Sequence, residues 1–383
     1  MDFASFTPEY LQRAERLKWQ VPAGGIGAWV AEMDYGVAPA IAEVLRGMVD
    51  AGSLAYNTPR QTAALREATL SFCADRYDWQ VAEDELFIVS DVIGALLLTL
   101  RHTLPAGTPV VVPTPAYMPF LSVTTAFGYP AVLVPGIDAD GEYQLDLDAI
   151  DSALAAGARA VVLTNPHNPV GRVYRHEELL ALSEVVERHG AQVFSDEIHA
   201  PLVIAEGATH IPYATVSEAA AAHTVTATAA SKGWNIPGLK CAQLIVTSEA
   251  ARTELRGPIQ AYYGSSAATP GIVASAVAYR DSRDWIDEVR AQLRSNSILL
   301  GELVAEHLPG VRYNVPQGTY LGWLDFRETG LESPAEFFLK NANVRCNEGI
   351  TCGASGFLRF NFAMAEATLR DAVGRMGEAL RRR

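Results

Sequence analysis

Short apolar runs alternating with amphipathic stretches dominate the middle of the chain. Leu86 to Val89, Val110 to Val112, Ala160 to Leu163, Gln192 to Phe194, Val225 to Thr228 and Gln243 to Val246 are short and largely apolar, so they predict short buried strands. Between two of these runs, His176 to His189 places Leu179, Leu182 and Val186 on one helical face, with Gly190 as a C-terminal stop. Strand–helix alternation predicts an α/β fold, a mostly parallel sheet with helices on both faces. Towards the C-terminus the pattern changes. Long helical periodicities at Trp285 to His307 and Ala365 to Arg382 flank a strand around Gly318 to Asp325, which predicts a separate, smaller α+β lobe. The expected organisation is an N-terminal segment (1–45) packing with the small domain, a large domain (46–280) and a small C-terminal domain (281–383). Neither repeats nor low-complexity tracts interrupt it.

Composition narrows the function classes. The chain has 383 residues, 49% hydrophobic and 19% charged, which suits a globular enzyme with a large core. A formal net charge of -14 repels nucleic acid and anionic membranes alike, leaving small-molecule chemistry as the expectation. The first residues mix Asp2, Glu9, Arg13, Glu15, Arg16 and Lys18 with scattered apolar positions. No signal-peptide core is visible, and a cytoplasmic protein is expected. Apolar stretches such as Ala95 to Leu100 are too short to span a bilayer. Cys73, Cys241, Cys346 and Cys352 show no CxxC pairing or zinc-finger spacing, so buried thiols are expected, with neither metal nor disulfide. Arg381, Arg382 and Arg383 read as a helix C-terminus before they read as an anion patch.

Ligands of open α/β sheets bind beyond the carboxyl ends of the strands. The residues that follow these runs are Ser90-Asp91-Val92-Ile93, Pro113-Thr114-Pro115-Ala116-Tyr117, Asn165-Pro166-His167-Asn168-Pro169-Val170-Gly171, Ser195-Asp196-Glu197-Ile198-His199 and Ser231-Lys232. One cleft would therefore hold an aromatic ring, an amide, a carboxylate, an imidazole and a lysine. Each has an ordinary alternative: Asp196 as a helix N-cap, His199 as a structural histidine, Tyr117 as core packing, Lys232 as a solvated cation.

Taken together, NPHNPVG, SDEIH and SKGWNIPGLK resemble the signature segments of fold-type I pyridoxal 5′-phosphate (PLP) enzymes. The likeness runs from LKW and WVAEMDY to LRFNFA, nearly the whole chain. Within that class I/II aminotransferase superfamily, WVAEMDY, TPAYMPF, SDEIH and SKxxNIPGLK look most like the cystathionine β-lyase (MalY/PatB) branch of carbon–sulfur lyases. The resemblance implies the type I fold, with a seven-stranded-type central sheet and a smaller α+β domain. It implies that Lys232 holds PLP as a Schiff base and moves the substrate Cα proton, work that needs a depressed pKa. Asp196 would pair with the pyridine nitrogen, Asn168 and His199 would sit by the phenolic oxygen, and Tyr117 would stack on the ring. Val92 and Ile93 would offer helix N-terminal N–H groups to the phosphate, joined by Ser231, by Lys240 and by Tyr56 (in AYNTPR) from a neighbouring subunit. Arg359 would grip the substrate carboxylate, with Ala31, Asn168 and Tyr56 beside the substrate, so a homodimer with its active site at the interface follows. Two positions depart from the pattern. Asp91 stands where glycine is expected, so its carboxylate should turn away or cap the helix, and Ala229 stands where many relatives have serine.

The implied reaction is cleavage of cystathionine or a related S-substituted L-cysteine to a thiol, pyruvate and ammonia. An aminotransferase would use the same residues and is the alternative. A regulatory protein–protein role is a third reading, with no added DNA-binding domain to support it. A Rossmann nucleotide site fails for lack of GxGxxG after a first strand; Gly24-Gly25-Ile26-Gly27 opens no helix.

Overall fold

The computed structural model describes residues 3–383. Its centre is a seven-stranded sheet built from β1 (Leu86–Val89), β2 (Val110–Thr114), β3 (Ala131–Pro135), β4 (Ala160–Thr164), β5 (Gln192–Asp196), β6 (Thr224–Thr228) and β7 (Ala242–Val246). The spatial order is β1-β7-β6-β5-β4-β2-β3. Strands β3, β2, β4, β5 and β6 pair in parallel, whereas β7 runs antiparallel to both β6 and β1. Every run read as a strand is present. The unforeseen strand of this sheet is β3, whose run Ala131 to Pro135 is as apolar as those of its neighbours although Leu133 and Pro135 are exposed at the sheet edge.

The runs are apolar at successive positions because alternate residues serve different layers. Val110, Val112, Ala160 and Val162 pack with Ala95 and Leu96 of α1 (Val92–Thr103). Val111, Val161, Leu163 and Val193 pack with Leu179, Leu182 and Val186 of α2 (His176–Arg188). At ~1.5–3 kcal/mol per fully buried aliphatic side chain, both faces must be apolar for the sheet to form. Gly190 follows α2 in the left-handed region, φ 56°, as its place in the sequence predicts. After β6 comes a single turn, α3 (Ala230–Gly233).

The last part of the chain forms a four-stranded antiparallel sheet around β8 (Leu321–Asp325) and β9 (Phe357–Asn361), edged by Arg312–Tyr313 and Asn347–Glu348. Helices α4 (Arg283–His307) and α5 (Glu366–Arg381) pack against one another beside it. The N-terminal segment joins this lobe. Ile26–Gly27 pairs in parallel with Val344–Arg345, and Asn361 binds the carbonyls of Val30 (2.6 Å) and Glu32 (2.7 Å) through Nδ2. A buried Lys18–Asp34 ion pair (3.1 Å) fixes it further, with Lys18 Nζ also donating to Ala363 O (3.0 Å) and Trp19 Nε1 to Asp34 (2.8 Å). Asn235, three residues past Lys232, clasps the same segment from the large lobe, accepting from Met33 N (2.9 Å) and donating to Met33 O (2.8 Å) and Gly36 O (2.9 Å).

All four cysteines are buried and free. Arg382 pairs with Glu378 of α5, and Arg383 donates to Thr329 O and Gly330 O, outside that helix. No helix of the described residues is long and apolar enough to cross a membrane, and those residues hold no cluster suited to a metal ion.

Candidate active site

The carboxyl ends of β1, β2, β4, β5 and β6 share one edge of the sheet with the amino end of antiparallel β7, the only way Lys240 can join residues that follow the other strands. There they enclose a cavity of about 190 Å³ lined by Ala31, Val92, Ile93, Tyr117, Asn168, Asp196, His199, Ser231, Lys232 and Lys240, together with Asp91, Ile198 and Pro237. Every expected site residue lines it except Arg359 and Tyr56. Arg359, on β9, is 2% exposed and stands behind Asn168, donating to its Oδ1 (3.2 Å) and to Trp29 O (3.0 Å). Tyr56 is 98% exposed and does not reach this cavity. A larger hollow of about 1020 Å³, lined among others by Pro105, Arg159, Glu187 and His223, lies at the amino ends of the parallel strands, the edge opposite to the one where such sheets bind ligands.

Electrostatics single out two groups. Burial lowers the Lys232 amine to about 8, helped by the positive charge of Arg359 and opposed by Asp196. Its Nζ donates to Ala31 O at 2.8 Å. Burial likewise raises the Asp196 carboxyl to about 7, against the Ile198 N–H (3.2 Å) and the nearby Lys232. That bond at Asp196 closes a local turn and caps no α-helix, so the N-cap alternative is set aside. His199, pushed down to about 3 by burial, is neutral, and its Nδ1 is buried with no partner among the described residues. Since Asn168 Oδ1 is taken by Arg359, its Nδ2 is the group free to donate into the cavity. Asp91 does cap α1, accepting from Gly94 N (2.8 Å). It does not turn away: its second oxygen sits 3.3 Å from Lys240 Nζ. The cap leaves the N–H groups of Val92 and Ile93 without intrahelical partners.

A second set of residues, missed from sequence, holds the first in place. His167 donates from Nε2 to Pro115 O (2.8 Å) and accepts at Nδ1 from Tyr174 OH (2.6 Å); burial holds it neutral, down at about 4, and it ties the Tyr117 loop to the Asn168 loop. Gly171 ends that loop at φ 73°, where a Cβ would collide with Pro316. Glu197 takes bonds from Ser195 Oγ (2.8 Å), Tyr213 N (3.0 Å) and His210 Nε2 (2.9 Å). Tyr320 donates to the same Ala31 carbonyl that receives Lys232 (2.9 Å) and lies edge-on to His199. Glu197 and His167 lay inside strings already singled out; nothing in the sequence marked Tyr320.

These groups fit PLP. A buried carboxyl raised to about 7, with no hydrogen-bonded cation of its own among the described residues, suits a protonated ring nitrogen; an orphaned imidazole nitrogen and a free amide suit a phenolic oxygen, and a lysine lowered to about 8 suits an aldehyde carbon. Free helix N–H groups beside Lys240 suit a phosphate.

Comparison with known proteins agrees in extent as well as kind. Aminotransferase class I and II matches residues 30–376. Cystathionine beta-lyase of Corynebacterium glutamicum is 34% identical, over 97% of this chain and 98% of its own length, and cystathionine beta-lyase PatB of Bacillus subtilis is 32% identical over 92% of each. Cystalysin from Treponema denticola, whose crystal structure contains pyridoxal 5′-phosphate, superposes with a TM-score of 0.93 at 26% identity, covering 100% of this chain and 99% of that one. With its site at the expected sheet edge and its likeness spanning nearly every residue, this chain belongs to the aminotransferase class I and II family.

Proposed function

We propose that the protein is a PLP-dependent carbon–sulfur β-lyase, cleaving cystathionine or a related S-substituted L-cysteine to a thiol, pyruvate and ammonia. One observation carries the chemistry: a buried lysine near pKa 8 shares a cavity with a buried carboxyl near pKa 7. Full-length relatives named cystathionine beta-lyase support the choice of reaction. When bound, PLP joins the substrate nitrogen and accepts the electron pair released from Cα.

The chain supplies the rest. Asp196, once paired with a ring N–H⁺, stays ionised and holds that proton in place. Asn168 Nδ2 and His199 serve the phenolic oxygen, and Tyr117 offers a flat face to the ring. Arg359 takes the substrate carboxylate through its fork, aided by the preset bonds to Asn168 and Trp29. Lys232, free of covalent duty after substrate binds, accepts the Cα proton on Nζ. The C–S bond then breaks with its pair on sulfur, and the released aminoacrylate hydrolyses to pyruvate and ammonia. Val92, Ile93, Ser231 and Lys240 hold the phosphate. The lobe at 46–280 thus carries the cofactor, while 1–45 and 281–383 bring Ala31 and Arg359 to the substrate. The exposure of Tyr56 supports a homodimer in which this ring reaches the partner's phosphate, as expected of a cytoplasmic enzyme of this kind.

Purified protein loaded with PLP is incubated with L-cystathionine and with an S-alkyl-L-cysteine, following pyruvate, free thiol and the cofactor's visible absorbance. Equal pyruvate and thiol, with absorbance restored each turnover, is expected. Conversion of the cofactor to pyridoxamine phosphate without thiol would make the protein an aminotransferase instead.

A further inference from the structure

The phosphate end of the cavity carries a charge that capping does not require. Asp91 caps α1 with one carboxylate oxygen alone, at 2.8 Å from Gly94 N. Serine or asparagine does that as well. The second oxygen lies 3.3 Å from Lys240 Nζ, and both side chains line the cavity, exposed by 39% and 62%. Among the described residues lining the cavity the cations are Lys232 and Lys240. Lys232 is committed to the aldehyde, which leaves Lys240 as the phosphate's cation. A phosphate monoester brings about −1.5 to −2 charges at neutral pH, and Ala229 withholds the hydroxyl that could have shared the load.

We infer that Asp91 weakens the grip on PLP by competing with the cofactor phosphate for Lys240, so that the enzyme exchanges its cofactor with solution rather than trapping it. The inference rests on the cavity being the PLP site. Asp91 acts in two ways of the same sign: it occupies Lys240, and its charge repels the incoming phosphate. Neither acts on a ligand that lacks the phosphate.

The test compares full-length apo-protein and Asp91→Asn, titrated with PLP and with pyridoxal, the phosphate-free aldehyde, by quenching of protein fluorescence and by dialysis. Asparagine keeps the cap and removes the charge. PLP is expected to bind the variant about fivefold more tightly, a half-exposed charge effect of ~1 kcal/mol, while pyridoxal affinity stays the same. An unchanged or weaker PLP affinity overturns the inference, and so does an equal shift for pyridoxal. Should the variant fold poorly, Asp91→Ser, another capping residue, replaces it. Borohydride reduction and peptide mapping of both PLP complexes stand apart: label missing from Lys232 in both removes the PLP site itself, and the inference with it, whatever the affinities.

Discussion

Replacing Arg359 by glutamine should separate carboxylate recognition from the chemistry at Lys232. The guanidinium is 2% exposed; its two terminal nitrogens rest on neutral acceptors, Asn168 Oδ1 at 3.2 Å and Trp29 O at 3.0 Å, and its Nε is buried without a partner among the described residues. Burial accordingly disfavours its charge, and a bound carboxylate supplies the missing counter-ion. Two charge-assisted bonds at ~1.5–3 kcal/mol each, less what one glutamine amide can return, leave ~4 kcal/mol, or about a thousandfold in kcat/KM. The assay compares an S-alkyl-L-cysteine with the matching S-alkyl cysteamine, which lacks the carboxylate. Wild type should prefer the former by about that factor and Arg359→Gln should not. A second effect has its own sign. After burial, Arg359 is the next cause of the low Lys232 pKa of about 8, so its loss raises that pKa. Because the neutral amine captures the aldehyde, the pH at which apo-protein takes up PLP should move to the alkaline side. A variant that keeps the thousandfold preference and captures PLP over an unchanged pH range would refute both steps.

Three further outcomes test other parts of the structure. In the apo-protein Asp196 holds its proton to about pH 7, whereas an unfolded aspartate releases it near pH 3.9; stability is therefore lost as pH rises through that window, by ~4 kcal/mol at most. Apo Asp196→Asn should match wild type near pH 4 and exceed it in thermal midpoint by pH 7, and a gap independent of pH refutes the assignment. Lys18→Met strips the buried Asp34 of its cation and should cost ~3–5 kcal/mol by urea unfolding, while Lys18→Met with Asp34→Leu recovers most of it; equal losses for single and double variants would show that the pair is not the cause. His167→Phe removes both buried hydrogen bonds that tie the Tyr117 and Asn168 loops together, so PLP affinity should fall about tenfold or more at ~1 kcal/mol for each lost bond, with Lys232 still the residue labelled by borohydride.

What could be read from the sequence follows from how each feature is made. The strand ends were legible because a strand buried on both faces leaves a local, one-dimensional mark: Ala160 to Leu163 and Val193 to Phe194 are apolar, and the chemistry begins soon after the apolar run stops. Strand β3 went unread although Ala131 to Pro135 carries the same apolar mark; that mark does not show that Leu133 lies in solvent at the edge of the sheet. Asp91 was legible as a cap because an N-cap bonds three residues along its own helix. Its second partner, Lys240, is 149 positions away, and no local signal joins the two.

Tyr320 marks the same boundary at the site itself. Its hydroxyl meets the Ala31 carbonyl across 289 positions, and three long-range facts must hold first. Leu321 must pair with Asn361 in the β8–β9 register; Asn361 must seize the carbonyls of Val30 and Glu32; and Asn235 must clasp Met33 from the other lobe. Only then does one peptide oxygen sit between Lys232 and Tyr320, giving the free amine a fixed partner at 2.8 Å. Lys232 can be named from its strand end, but the place where its amine waits is set by how the two lobes close on a short N-terminal segment.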